Sequence, residues 1–194
     1  GLVASDPDHL QDFCVADKTS RINGVNVTEV DFFFGGLANS AVINNLVGSV
    51  ITTANVEKIP GLNTLGVSLA RIDYQPDGLN PPHTHPRASK IIFFLDGELD
   101  VGFITTANKL ISKSIKKRRH FCVPEGLVHY QKNNGVKPAS VIAGFNSQFP
   151  GTQSIATTLF TSTPLVPDHV LTKGLQIGTK GVKKMRNKLA PKKT

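Results

Sequence analysis

Residues 78–97, Gly78-Leu-Asn-Pro-Pro-His-Thr-His-Pro-Arg-Ala-Ser-Lys-Ile-Ile-Phe-Phe-Leu-Asp-Gly97, set His83 and His85 two positions apart among prolines. On an extended backbone side chains alternate, so both imidazoles fall on one face and can converge on one atom. Pro81, Pro82 and Pro86 hold the segment extended and disfavour a helix. The β-branched and aromatic run Ile91 to Leu95, closed by Asp96-Gly97, predicts a hairpin with Leu99 to Thr105. A third histidine, His129, lies in Pro124-Glu-Gly-Leu-Val-His-Tyr-Gln-Lys-Asn133, a second turn-then-strand segment. Three histidines on strands point to a metal site in a β-barrel.

Outward from this stretch the same reasoning predicts more strands. Leu65 to Tyr74 alternates, and Gln75-Pro-Asp-Gly78 is a turn. Leu110 to Ile115, His120 to Val123, Val128 to Gln131 and Ala139 to Phe145 follow. Ser40 to Ala54 fits a short helix or an extended edge segment, and residues 1–30 read as a polar, turn-rich arm over the barrel. From Thr157 the pattern changes. Leu165, Val166, Val170, Leu171 and Leu175, then Val182, Met185 and Leu189, recur at helical spacing with Lys and Arg between the last three. The fold class is therefore all-β with C-terminal helices, a single antiparallel β-barrel.

Size and charge narrow the function. At 194 residues the chain fits one domain with a substantial core. No apolar run reaches the roughly 18 residues of a membrane span. The net charge is +8, but Lys180 to Thr194 holds seven of the 22 Lys and Arg and no acid. The remaining 15 basic residues nearly balance all 14 acidic ones. The basic character belongs to a tail and to Lys116-Lys-Arg-Arg119, without the aromatic interleaving of nucleic-acid binders. A solvated face or contact with acidic polysaccharide is the better reading, and nucleic acid is not an expected partner. Cys122, between Phe121 and Val123, is expected to be a buried thiol acting as a small hydrophobe. Asn26-Val-Thr28 is an N-glycosylation sequon.

The two motifs resemble those of plant germin-like proteins in the cupin superfamily. Asn80-Pro-Pro-His-Thr-His-Pro-Arg-Ala88 is similar to the first cupin motif, and Pro124 to Asn133 to the later part of the second. Ser5 to Asp17, Asp31-Phe-Phe-Phe34, Asn108 to Lys113, Asn146 to Gly151 and Pro164 to Leu175 extend the likeness over roughly residues 5–178. The resemblance implies an N-terminal arm at 1–30, a cupin barrel at 31–160, and C-terminal helices with a basic tail at 161–194. It also implies a mature secreted form in the apoplast or cell wall, glycosylated at Asn26. The helices would clasp neighbours into a hexamer, a trimer of dimers. Germins usually pair the cysteine at the Cys14 position with one after an Asn-Gly turn. Here Asn23-Gly-Val-Asn-Val-Thr28 has none, so that disulfide is absent, and a Cys14–Cys122 bridge stays open.

In germins the first motif supplies two histidines and a glutamate to manganese, and the second a third histidine. These positions match His83, His85 and His129, but the glutamate position is Lys90. A protonated ammonium has no lone pair and repels a cation. Four readings follow. The metal site has decayed into a scaffold; Lys90 replaces the cation's charge and binds an anionic ligand; Lys90, desolvated, is a base or amine nucleophile with lowered pKa; or the three histidines still hold Zn, Cu, Fe or Mn while Lys90 swings away or contacts substrate. Asn80 and Asn133 are the candidate ligand-binding residues. Germins that oxidise oxalate have two asparagines near the metal, and the second aligns with Ala70, which argues against oxalate oxidase. Arg118-Arg119 stands where the second motif opens with a Gly-Asp turn. His9, His120 and His169 are expected to be arm or surface residues. The functional expectation is an enzyme with a remodelled site of His83, His85, His129 and Lys90 acting on a small molecule. The alternatives are manganese superoxide dismutase-like activity and a non-catalytic extracellular binding or structural protein.

Overall fold

The computed structural model describes residues 27–190. The expectations for His9, Cys14, Asn26, most of the predicted arm and the last four residues fall outside the described residues. Short 3-10 turns at Glu29–Phe32, Gly35–Leu37 and Pro60–Leu62 accompany ten strands and three helices. The strands are β1 (Ser49–Ala54), β2 (Ser68–Tyr74), β3 (Leu79–Thr84), β4 (Lys90–Asp96), β5 (Glu98–Ile104), β6 (Leu110–Lys116), β7 (His120–Val123), β8 (His129–Lys132), β9 (Ala139–Phe145) and β10 (Gln153–Ser154). The helices are α1 (Ile155–Thr161), α2 (Asp168–Leu175) and α3 (Thr179–Leu189).

The strands form two five-stranded antiparallel sheets, ordered β1-β2-β9-β4-β7 and β10-β3-β8-β5-β6. Alternation along each strand sends one set of side chains between the sheets. Ile72, Tyr74, Ile92, Phe94, Leu99, Val101 and Val141 meet there with at most 2 % exposure and make the core. Fully burying such a side chain contributes about 1.5–3 kcal/mol. The predicted barrel thus takes the form of a jelly roll, two separate sheets packed face to face around one interior.

The predicted hairpin at Asp96-Gly97 does not form. β4 pairs with β7 and β9, whereas β5 pairs with β6 and β8. The turn instead carries the chain from one sheet to the other, because Ile92 and Phe94 must face Leu99 and Val101 across the core. Gly97 permits this with φ of +77°; a Cβ there would lie 2.6 Å from that of Ala139. Ser40 to Ala54 resolves as an edge strand from Ser49, paired with β2 alone. The Arg118-Arg119 loop takes the shape a glycine would give. Arg118 has φ of +62° and donates its N–H to the Phe94 carbonyl at 2.8 Å.

Cys122 is a free, exposed thiol, not the buried one expected. The period of two explains this: Val123 points into the core and Phe121 packs against it, so Cys122 points out, level with Ile91 of β4. At the C-terminus Phe160, Leu171 and Val182, one from each helix, form a second small core. Arg186 of α3 ties these helices together by pairing with Asp168 and the Val166 carbonyl. Among the described residues no helix is long and apolar enough to cross a membrane.

Candidate metal centre

The β3–β8 register sets His83 directly opposite His129, and His85 follows at the end of β3. The ring centroids of His83 and His129 are 4.1 Å apart, and those of His85 lie 5.1 and 5.3 Å from the two. One nitrogen from each falls within 4.8 Å of the others, and all three residues are buried. Among the described residues this is the only such cluster of potential ligands.

Each imidazole is oriented by a backbone carbonyl. Nδ1–H of His83 donates to Pro81 O at 2.7 Å, that of His129 to Leu127 O at 2.9 Å, and that of His85 to Gly151 O at 2.6 Å. These bonds fix the tautomer and leave the Nε2 lone pairs directed inward. Nε2 of His85 and of His129 is buried without a partner among the described residues. Burial first, then the Lys90 charge, pushes His83 down to about 3, His85 to about 4 and His129 to about 2. All three are neutral at pH 7, the form that binds metal. The unpartnered buried nitrogens and the donor set fit a divalent ion.

His85 owes its orientation to a latch. Arg87 donates Nε–H to Phe149 O at 2.9 Å and backbone N–H to Pro150 O, and its guanidinium lies 5.5 Å from the Phe149 ring centroid. These contacts hold residues 149–151, and with them the Gly151 carbonyl, against the His85 ring.

Lys90 opens β4 between Val123 and Phe145 and is 2 % exposed. Its Nζ lies 5.8 Å from the Phe145 ring centroid, and no carboxylate pairs with it among the described residues. Burial lowers it to about 7. His83, His85 and Lys90 line a cavity of about 40 Å³ with Ala70, Asn80 and Phe145.

The other expected residues divide. Asn80 lines the cavity, but its Nδ2 donates to Gln131 Oε1 at 2.8 Å. Asn133 does not join the site. Its Nδ2 donates to Gln75 O and Lys137 O, and its Oδ1 accepts from Gly135 N–H, so it braces two loops. His120 and His169 are exposed. Sequence reasoning missed Gln131 and Tyr74, joined to Asn80 through hydrogen bonds, and Phe145 beside Lys90 and His85. Gln131 was within reach of the strand period, two residues beyond His129.

A jelly roll with three inward histidines defines a class, the cupins, and the Cupin family model matches residues 35–183. Germin-like protein subfamily 2 member 4 of Arabidopsis thaliana is 66 % identical over 201 residues, covering 99 % of this chain and 91 % of that protein. The rhicadhesin receptor of Pisum sativum is 62 % identical, covering 96 % and 89 %. A solved structure of recombinant oxalate oxidase in complex with glycolate superposes with a TM-score of 0.90 at 40 % identity, covering 96 % and 98 %. The chain belongs to the cupin family, in its germin-like plant branch.

Proposed function

We propose that this protein is a secreted germin-like cupin that acts on a small molecule in its barrel, with His83, His85 and His129 as metal ligands and Lys90 in place of the fourth. The observation that carries the reading is the convergence of three Nε2 atoms, two of them buried without a partner. An unsatisfied buried acceptor costs about 1–3 kcal/mol, and two in one site imply an occupant that accepts lone pairs. A divalent ion held there would supply Lewis-acid or redox chemistry toward a small oxygen-bearing ligand. Without the carboxylate, the donor set suits Zn, Cu or Fe as well as manganese. Phe145, Ala70 and Ile72 give the cup apolar walls, and Lys90 Nζ is poised to hold or release a proton near neutral pH. Extracellular location, glycosylation at Asn26 and a hexameric assembly belong to the same proposal and draw on the germin-like relatives.

The test is metal per chain, by elemental analysis of protein secreted from a eukaryotic host. Near-stoichiometric metal is expected in the native form, with none in His83→Ala and tighter retention in Lys90→Glu. Metal found only in Lys90→Glu would overturn metal binding by this chain. A non-catalytic binding role is the second reading. It is favoured by one observation, the uninterrupted row of exposed lysines on α3, which suits acidic wall polymers.

A further inference from the structure

Lys90 is the only buried lysine among the described residues, and it opens β4 beside the histidine cup. It lines one cavity with His83 and His85, and no Asp or Glu lines that cavity. The Phe145 ring, its centroid 5.8 Å from Nζ, is a weak partner for an ammonium. A divalent ion held by three neutral imidazoles brings two positive charges into the same cup. With the ammonium the cup would carry three positive charges and no negative one, which burial makes costly. The buried primary amine has a chemistry that resolves this. Burial favours the free amine over the ammonium, and a free amine has a lone pair that can add to carbon dioxide.

We propose that Lys90 is N-carboxylated by carbon dioxide, and that the resulting carbamate is the anionic ligand that completes the site of His83, His85 and His129. This deepens the reading of the three histidines as metal ligands and rests on it. The Nζ lone pair attacks the carbon of carbon dioxide, a C–N bond forms, one C=O π bond opens onto its oxygen, and an amine proton leaves to water. Nothing is oxidised or reduced. An ammonium without lone pairs is replaced by two oxygens that carry them, so a charge that repels a cation becomes one that holds it. The cavity of about 40 Å³ has room for about three water-sized groups, and a carboxyl group adds three heavy atoms. Its walls of Ala70, Ile72 and Phe145 suit the entry of a small neutral gas better than that of an ion. Carbamate formation is reversible, so metal and carbon dioxide each tighten the hold on the other by the same factor.

The experiment uses the full chain, stripped by chelator and divided between carbon dioxide-free buffer and buffer with ¹³C-bicarbonate, with zinc as the probe metal. Zinc affinity of the wild type, by competition with a chromophoric chelator, is expected to be about tenfold or more higher with bicarbonate. Lys90→Met is expected to bind zinc equally in the two buffers. In wild type labelled with ¹⁵N-lysine, ¹³C NMR is expected to show a carbonyl resonance split by its bond to ¹⁵N and absent from Lys90→Met. Trapping with a trialkyloxonium salt supplies a readout that does not depend on a variant folding. It alkylates the carbamate oxygen, and peptide mass spectrometry is expected to find the stable ester on Lys90. Zinc-loaded protein with neither the split resonance nor the ester, or zinc affinity indifferent to bicarbonate, would overturn this inference and leave the histidines as metal ligands. Ester on Lys90 in protein that takes up no zinc would retain the carboxylation and remove the metal. Neither zinc nor ester would overturn both.

Discussion

Lys90 concentrates the conflict in this protein, since a buried amine lies beside the histidines with no carboxylate to pair with it among the described residues. Its energetic consequence follows from linkage. Unfolded, the amine titrates near 10.5, and in the fold near 7, because burial penalises the charged form. Between those values the unfolded chain holds a proton that the folded chain has released, so stability rises with pH from about 7 to 10.5. Below pH 7 the penalty is fully present, on the order of 5 kcal/mol. The three histidines act on the acid side. Their folded values of about 2 to 4 lie under the ordinary 6.5, so stability falls as pH drops from 6.5 toward 4. Lys90→Met should therefore be more stable than wild type at pH 7 by several kcal/mol and should lack the alkaline rise, while keeping the acid loss. Urea unfolding at pH 5, 7 and 10 with chelator present measures all three limbs. Parallel curves for the two proteins between pH 7 and 10 would show that Lys90 is not desolvated as its position requires.

Among the elements, α3 shows best how much a sequence pattern can carry. Val182, Met185 and Leu189 recur on one face and pack into the helical core, as their spacing predicts. Lys180, Lys183, Lys184 and Lys188 fall on the opposite, exposed face, at intervals of three and four. Changing these four lysines to Gln should leave the fold intact and lower retention on a polygalacturonate column at low salt by tenfold or more. Unchanged retention would dismiss the helix as a polyanion contact. Strand identity was legible for the same reason as α3: local alternation reports which residues are inside. Ala139–Phe145 and His120–Val123 match their predicted limits. Strand partners were not legible, because pairing is a long-range choice. Asp96-Gly97 marks a true turn, yet core faces on both sides make it a crossing between sheets rather than a hairpin. Cys122 was judged by its apolar neighbours, although alternation puts a residue between two inward ones on the outside. The histidines were legible through spacing and motif. The inward direction of Gln131 was within reach of the same period, but its hydrogen bonds from β2 and β3 were not, since no local pattern encodes them.

For the whole molecule, the outer face of the β1-β2-β9-β4-β7 sheet is the feature a lone chain leaves unresolved. Leu69, Ile91 and Phe93 are 45, 54 and 46 % exposed there, and Val67 is 49 % exposed beside them. Leu69 and Ile91 also line a groove of about 610 Å³ with Ile59, Leu62 and Val67. An apolar patch of this kind marks an interaction surface, and the hexamer proposed from the germin-like relatives supplies a second copy to cover it. Changing Ile91 and Phe93 together to Asp should weaken self-association by 100-fold or more, seen as a shift to smaller species in light scattering. The same variant should retain its metal. Ile91 and Phe93 alternate with Lys90 and Ile92, so the charges enter on the face of β4 opposite the cup. Assembly lost with metal kept would place association and chemistry on the two faces of one sheet. Assembly unchanged would remove this face from the interface, and metal lost along with assembly would mean that the cup depends on its neighbours.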